Sequence, residues 1–277
     1  STVPFNGQID PRLTKLKRGG VSSFAFKVRE SMQRRYYIKK EFKADVSGFE
    51  LNDKIVANQF AKDMGVKAAE VIAGPCRISE ITFDTPGPYV LKPRSSTNSW
   101  GIQFVEVTDE LALTDYATKE PVTIESILAQ GIEDMKKRRF KDEWVIEKMV
   151  LPDCADLPRP DDLKFYSFHG KSVIALHKRV DGGKSTYAWY NSDGEMVDCG
   201  KYNDRIIPNA KVPRDFMEAK LMSEKLSRLI PLPFMRIDFL MSDAGPVFGE
   251  LTPHPGTFDR FDSNWDAVLG QYWEEAE

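Results

Sequence analysis

The sequence predicts an α+β protein, built from antiparallel hairpins and separate amphipathic helices. Two hairpins carry the prediction. Residues 163–168 and 173–180 are apolar-rich runs joined by the tight pair His169-Gly170, and residues 235–256 alternate with period 2 around Asp243-Ala244-Gly245. The third observation is a set of helix starts away from these strands: Asn52-Asp53, Thr123 and Pro213 each precede an apolar stripe of helical spacing.

Composition sets the bounds. At 277 residues the chain suits one large or two modest domains, and 29% charged with 41% hydrophobic residues is ordinary for a soluble enzyme. A net charge of -3 argues neither for nor against a polyanionic partner, and no nucleic-acid partner is expected. Cys76, Cys154 and Cys199 are scattered without metal spacing, which points to a reduced, cytoplasmic compartment. No run of about 18 apolar residues occurs, so no membrane span is expected. The opening STVPFNGQ lacks a basic-then-apolar signal pattern.

In chain order, residues 1–50 are basic and aromatic: Lys15, Lys17, Arg18, then Arg34-Arg35-Tyr36-Tyr37 and Lys39-Lys40. They read as a solvated surface segment or as a patch for an acidic acceptor or phosphate. A helix with Ile55, Val56, Phe60 and Met64 on its buried side closes at Gly65, and residues 68–73 form a short buried strand before Gly74-Pro75. This pair reads as a small α/β unit ahead of the main site. Residues 89–93 make a strand with Lys92 near its end; polar, small residues 94–101 then form a loop suited to covering phosphates, and 102–107 return to strand. The Thr123 helix (Ile124, Ile127, Leu128, Ile132, Met135) ends in Lys136-Lys137-Arg138-Arg139, cations that suit the negative end of a helix dipole. Residues 143–150, EWVIEKMV, form a strand that runs into the turn-rich seam 151–160. Beyond the two strands at 163–180 lie Tyr187 and Trp189 in a further strand, a turn at 191–194, and a helix from Pro213 to Ile230 that buries Phe216, Leu221, Leu226 and Leu229. A short helix over 264–273 closes the chain.

The hairpin at 235–256 holds the candidate chemistry. With a three-residue turn, Ser242 pairs with Pro246, Asp238 falls opposite Glu250 and Arg236 opposite Thr252. The opposite face then carries Met235, Ile237, Phe239, Val247 and Leu251. Two facing carboxylates repel unless a cation or proton lies between them. Either Mg²⁺ fills that place, since it favours one or two carboxylates and substrate phosphates, or Arg236 neutralises Asp238 in an ion-pair ladder.

The ordered set of Asp53-Lys54, the 89–93 strand, residues 162–170, Arg236 to Asp238, Phe248 to Thr252 and Leu269-Gly270 resembles the ATP-grasp superfamily, and within it the TupA-like ATP-grasp group. The likeness covers roughly residues 50–275. It implies an ATP-grasp fold: two α+β lobes clamping ATP, preceded by a small α/β unit. Its divisions are 1–84 for the N-terminal unit, 85–150 for the small lobe and 151–277 for the C-terminal lobe with the metal site. Carried onto matching positions, the resemblance implies that Lys92 contacts phosphates and that Glu147, Lys148 and Val150 form the adenine hinge. Lys164 and Arg179 face the phosphate or acyl-phosphate end, Arg236 steadies developing charge, and Asp238, Glu250 and Thr252 hold Mg²⁺. Thr252 stands where ATP-grasp enzymes usually place Asn, and a hydroxyl can also ligate Mg²⁺. The implied activity is ATP-dependent joining of a small-molecule or glycan carboxylate to an amine, through an acyl phosphate, in surface-polysaccharide or small-metabolite biosynthesis. A kinase on a grasp-like fold and a non-catalytic anion-binding module are the alternatives. His254 and Asp259, just past the metal strand, are candidates for orienting the amine or are surface residues.

Overall fold

The structure is a computed structural model that describes residues 20–95, 100–154 and 157–277. The cations Lys15, Lys17 and Arg18 and the loop residues 96–99 lie outside the described residues.

The described residues open with a helix that local pattern did not announce. α1 spans Phe24–Phe42, capped by Ser23, whose hydroxyl accepts from the Phe26 N–H. Only Phe24 and Val28 are buried in it, so no continuous apolar stripe marks it in the sequence. α2, Lys54–Asp63, starts at Asp53 as expected, with the Asp53 carboxylate accepting from the N–H groups of Ile55 and Val56. Its buried face is Ala57, Asn58 and Ala61, with Phe60 and Met64 beside them, while Val56 is exposed.

The first sheet follows. Its strands are β1 (Val71–Cys76), β2 (Gly87–Pro93), β3 (Gln103–Val107), β4 (Leu113–Asp115), β5 (Pro121–Val122) and, after helix α3 (Ile124–Arg138), β6 (Trp144–Lys148). Their spatial order is β1-β6-β2-β3-β4-β5. β1 begins later than expected, is only partly buried and runs through Gly74-Pro75, which an edge strand tolerates because one side of it needs no ladder bonds. One face packs Leu91, Val105, Trp144 and Ile146 against Ile127 of α3.

The second sheet takes β7 (Asp162–Phe168), β8 (Lys171–Asp181), β9 (Lys184–Asn191), β10 (Met235–Ser242) and β11 (Gly245–Thr252), in the order β11-β10-β7-β8-β9, all antiparallel. Helix α4, Phe216–Leu229, packs on one face with α2, burying Phe216, Ala219 and Leu226 against Phe165, Ile237 and Phe239. Leu221 and Leu229, expected inside, are exposed; Ser223 takes the inner position and shares hydrogen bonds with Ser167 and Ser172. The other face is covered at one end by α1 and the last helix, α5 (Ser263–Ala276), through Phe24, Tyr166, Phe234, Phe261 and Trp273. The helices of residues 20–68 thus pack on the second sheet, while β1 joins the first.

Gly270 allows the α1–α5 approach. A Cβ there would sit 2.6 Å from the Ser23 carbonyl carbon, a backbone contact that cannot be relieved by a rotamer change. Gly270→Ala is therefore expected to destabilise the fold by about 1–3 kcal/mol, measurable as a lowered denaturant midpoint with an unchanged slope.

Candidate active site

The β10–β11 hairpin reaches the expected pairing by a different route. Its ladder closes with Ser242 opposite Gly245, one residue short of the expected register, and Gly245 has φ 90°. A bulge between Asp238 and Phe239 then restores the count, leaving Gly249 as the extra residue, so that Asp238 still faces Glu250 and Arg236 still faces Thr252. Gly249 has no side chain to hold away from the neighbouring strand: a Cβ there would come 3.3 Å from the Asp238 carbonyl oxygen. Phe248 joins Ile237, Phe239 and Leu251 in the core cluster, and Val247, expected on that face, is also buried, at 3% exposed.

Asp238 is 2% exposed and accepts three bonds, one on Oδ1 and two on Oδ2. Arg236 grips it with two bonds, Nε to Oδ1 at 2.7 Å and Nη2 to Oδ2 at 2.6 Å, and Lys164 Nζ donates to Oδ2 at 2.6 Å. Burial alone would raise the Asp238 pKa, but the two cations outweigh it and hold the carboxyl below its ordinary value. Burial likewise opposes the charge on Lys164, and Asp162 and Asp238 outweigh it to raise that lysine. Glu250 is different: among the described residues its carboxylate makes no hydrogen bond or ion pair.

Across from this hairpin the first sheet presents a matching row. Val90 pairs with Glu147 on one side and Phe104 on the other, and Lys92 forms an ion pair with Glu147 at 2.6 Å. Between the sheets lies a cavity of about 210 Å³ whose lining includes Lys92, Glu147, Lys148, Val150, Lys164, Asp238 and Glu250. Seven of the ten expected site residues therefore meet in one cleft.

The other three do not line it. Thr252 accepts a bond from Arg236 Nη2 at 3.0 Å, and Arg236 is turned onto Asp238. Both support the carboxylate from behind. Arg179 is on the opposite side of its strand, where it and His177 bind Asp161 at 2.7 Å. A shift in the β7–β8 ladder between Tyr166 and Ser167 explains this. Counted evenly from the His169-Gly170 turn, Arg179 would share the face of Lys164; the shift brings Lys178, opposite Asp162, to that face instead.

Cleft residues that local pattern did not reveal are Lys54, Arg159, Asp162 and Lys178, with Phe104, Met149, Leu240 and Phe248 as apolar walls. Burial pushes the pKa values of Lys54, Arg159 and Lys178 down. Arg159 lies over the Phe104 ring at 5.8 Å. Neither Arg159 nor Lys178 makes an ion pair with a carboxylate among the described residues.

His254 lies away from the cleft. It bonds Ser31 at 3.1 Å and packs on Phe49 at 4.9 Å between ring centroids; Asp259 pairs with Arg29 at 3.1 Å. Burial pushes the imidazole pKa down from 6.5 to about 4, with Arg35 adding to the effect. The folded state thus favours the neutral ring, so its stabilising contribution is complete above pH 6.5 and is lost as pH falls from 6.5 towards about 4. His254→Gln should flatten the fall in unfolding free energy over that window, measured by denaturant titration at a series of pH values.

Two antiparallel sheets closing on a cleft with a facing carboxylate pair define a protein of the ATP-grasp class. The backbone aligns with D-alanine–D-alanine ligase of Bacillus anthracis in its complex with ATP at 15% identity and TM-score 0.51, over 98% of this chain and 75% of that one. It also aligns with D-alanine–D-alanine ligase from Helicobacter pylori (14% identity, 82% of this chain, 58% of that one, TM-score 0.45). VanG D-Ala:D-Ser ligase from Enterococcus faecalis matches at 11% identity, 84% of this chain and 62% of that one, with TM-score 0.49. The chain spans 58% and 62% of the length of these last two ligases, and at such identities the likeness is one of fold. A search of curated proteins returned no match. The chain belongs to the TupA-like ATP-grasp family, which it matches over residues 31–274.

Proposed function

We propose that this protein is an ATP-dependent carboxylate–amine ligase that forms an amide through an acyl phosphate, releasing ADP and phosphate, in surface-polysaccharide or small-metabolite biosynthesis. One observation carries this reading: among the described residues the cleft holds two cations that form no ion pair, Arg159 and Lys178, beside a carboxylate that forms none, Glu250. A triphosphate with a divalent metal complements both at once.

The donor set fits Mg²⁺, because Asp238 and Glu250 are facing hard oxygen ligands and Glu250 keeps its lone pairs unused. Bound there, Mg²⁺ would neutralise phosphate charge during transfer. Lys92, Arg159 and Lys178 receive the phosphates as fixed positive charges, and Arg236 and Lys164 keep Asp238 ionised and oriented. At the hinge, the N–H groups of Lys148 and Met149 donate to the Glu70 and Pro88 carbonyls, both at 2.9 Å, which leaves the Val150 N–H to face a base edge. Met149, Leu240 and Phe248 supply its apolar walls. The substrate carboxylate attacks the γ-phosphorus and ADP leaves; the amine then attacks the acyl carbon, loses a proton, and phosphate leaves. Positioning and charge compensation supply most of the acceleration.

The placement of the two neighbouring cations gives a separable expectation. Lys178→Met should weaken ATP binding about tenfold or more, the loss of one charge-assisted contact, with little change in melting temperature. Arg179→Met should lower the melting temperature by freeing Asp161, with nucleotide affinity unchanged; a fluorescent ATP analogue and a thermal melt read the two.

The reading is tested by phosphorus NMR of the protein with Mg-ATP and mixed pools of amino acids and carboxylated sugars. ADP and inorganic phosphate that depend on both pools are expected. A new phosphoester signal identifies a kinase instead, and a protein that binds no ATP in a titration overturns the nucleotide site itself.

A further inference from the structure

The second half of α1 takes no part in the cleft, and its surface combines cations with exposed apolar side chains. Its first turns are anchored by Phe24 and Val28. Beyond them Met32, Tyr36 and Phe42 are 44%, 69% and 67% exposed. The same stretch, residues 32–43, holds five Lys and Arg (Arg34, Arg35, Lys39, Lys40, Lys43) against one Glu, on a chain whose net charge is -3. The remainder of the molecule is therefore acidic. Asp45 answers part of this charge, pairing with Arg35 at 2.7 Å and Lys39 at 3.0 Å. Lys40 reaches Glu41 at only 3.8 Å, and the Lys43 ammonium donates to the Lys40 carbonyl.

We infer that this half of α1 docks on an anionic lipid headgroup layer. Three features favour that partner. First, the positive stretch on a body of net negative charge gives the molecule a direction: an anionic surface attracts this end more than the net charge of the rest allows elsewhere. Second, Met32 and Phe42 have no polar atom for a soluble polyanion to bind, whereas side chains of this kind beside lysines enter the boundary between headgroups and acyl chains. Third, two of the three rings do not form a flat platform. Tyr37 and Phe42 meet edge to face, 72° apart with centroids at 6.1 Å, so they do not offer parallel faces for stacked bases. The docking inferred is peripheral; among the described residues no helix is long and apolar enough to cross a membrane.

The experiment is cosedimentation of the full chain with vesicles of phosphatidylcholine alone or mixed with about one third phosphatidylglycerol, a probe chosen for the surface attraction of anionic lipid. The expected result is sedimentation only with the mixed vesicles, weakening as salt rises. Affinity should fall about tenfold or more in the triple variant Lys39→Glu, Lys40→Glu, Lys43→Glu, and severalfold in Tyr36→Ser with Phe42→Ser. Thermal melts establish that each variant is folded; if the charge reversals unfold the chain, the aromatic pair and the salt series carry the test. Equal sedimentation with both vesicle types, or none, overturns the inference. So does binding to polyphosphate or a single-stranded oligonucleotide as tight as to vesicles and indifferent to the Phe42 substitution, which would make the patch a general polyanion site.

Discussion

Asp238→Asn is expected to cost about 3–5 kcal/mol of folding stability, the range found when one partner of a buried ion pair is removed. The carboxylate is 2% exposed and accepts two bonds from Arg236 and one from Lys164. An amide keeps the shape but leaves both cations without their closest counter-charge in a largely buried site. Arg236 would still reach Thr252, and Lys164 would still have Asp162 at 3.5 Å, which is why the loss should stay near the lower end. Urea unfolding followed by tryptophan fluorescence measures it. A change below about 1 kcal/mol would mean that the two cations find solvent or each other's neighbours easily, and the interlocked trio would then be a weak exposed pair in energetic terms. Lys164→Met combined with Asp238→Asn should recover part of the loss, because it removes one stranded charge.

How much of this site the sequence disclosed depends on where ladders slip. Asp238 opposite Glu250 was legible because period-2 alternation fixes which residues share a face, and two one-residue departures, at the turn and at Gly249, offset each other. The β7–β8 ladder has one such shift with nothing to offset it, so the face that local counting gives to Arg179 belongs to Lys178. Bulges are set by packing across strands and leave little local signal. The same limit hid Arg159 and Lys54, which arrive in the cleft from the seam and from α2. Helix positions failed for a related reason. Leu221 and Leu229 look like core residues by type, but α4 meets the sheet through Ala219 and Ser223, where small side chains let the backbones approach. α1 was illegible as a helix because its last three turns mix cations with apolar residues that stay exposed, and its anchoring comes from Phe24 inside an aromatic cluster formed by distant parts of the chain.

Glu250→Gln separates chemistry from architecture in the same hairpin. Its carboxylate has no hydrogen bond or ion pair among the described residues, so the amide should change unfolding free energy by less than about 0.5 kcal/mol, as for a substitution that breaks no contact. The reaction should respond very differently. Removing a group that holds charge in place at the transferring phosphoryl typically costs about 10²–10³ in rate, and losing one of two facing carboxylates removes half of the protein's share of a Mg²⁺ site. Product formation per mole of folded protein should therefore fall by at least about a hundredfold, while a fluorescent ATP analogue still binds through the lysines and the hinge. Raising Mg²⁺ should restore part of the rate if Glu250 acts through the metal. A rate that falls with no response to Mg²⁺ would assign Glu250 to substrate positioning instead. A variant that melts well below the parent would show that Glu250 is held by the fold after all, and the contrast with Asp238 would then fail.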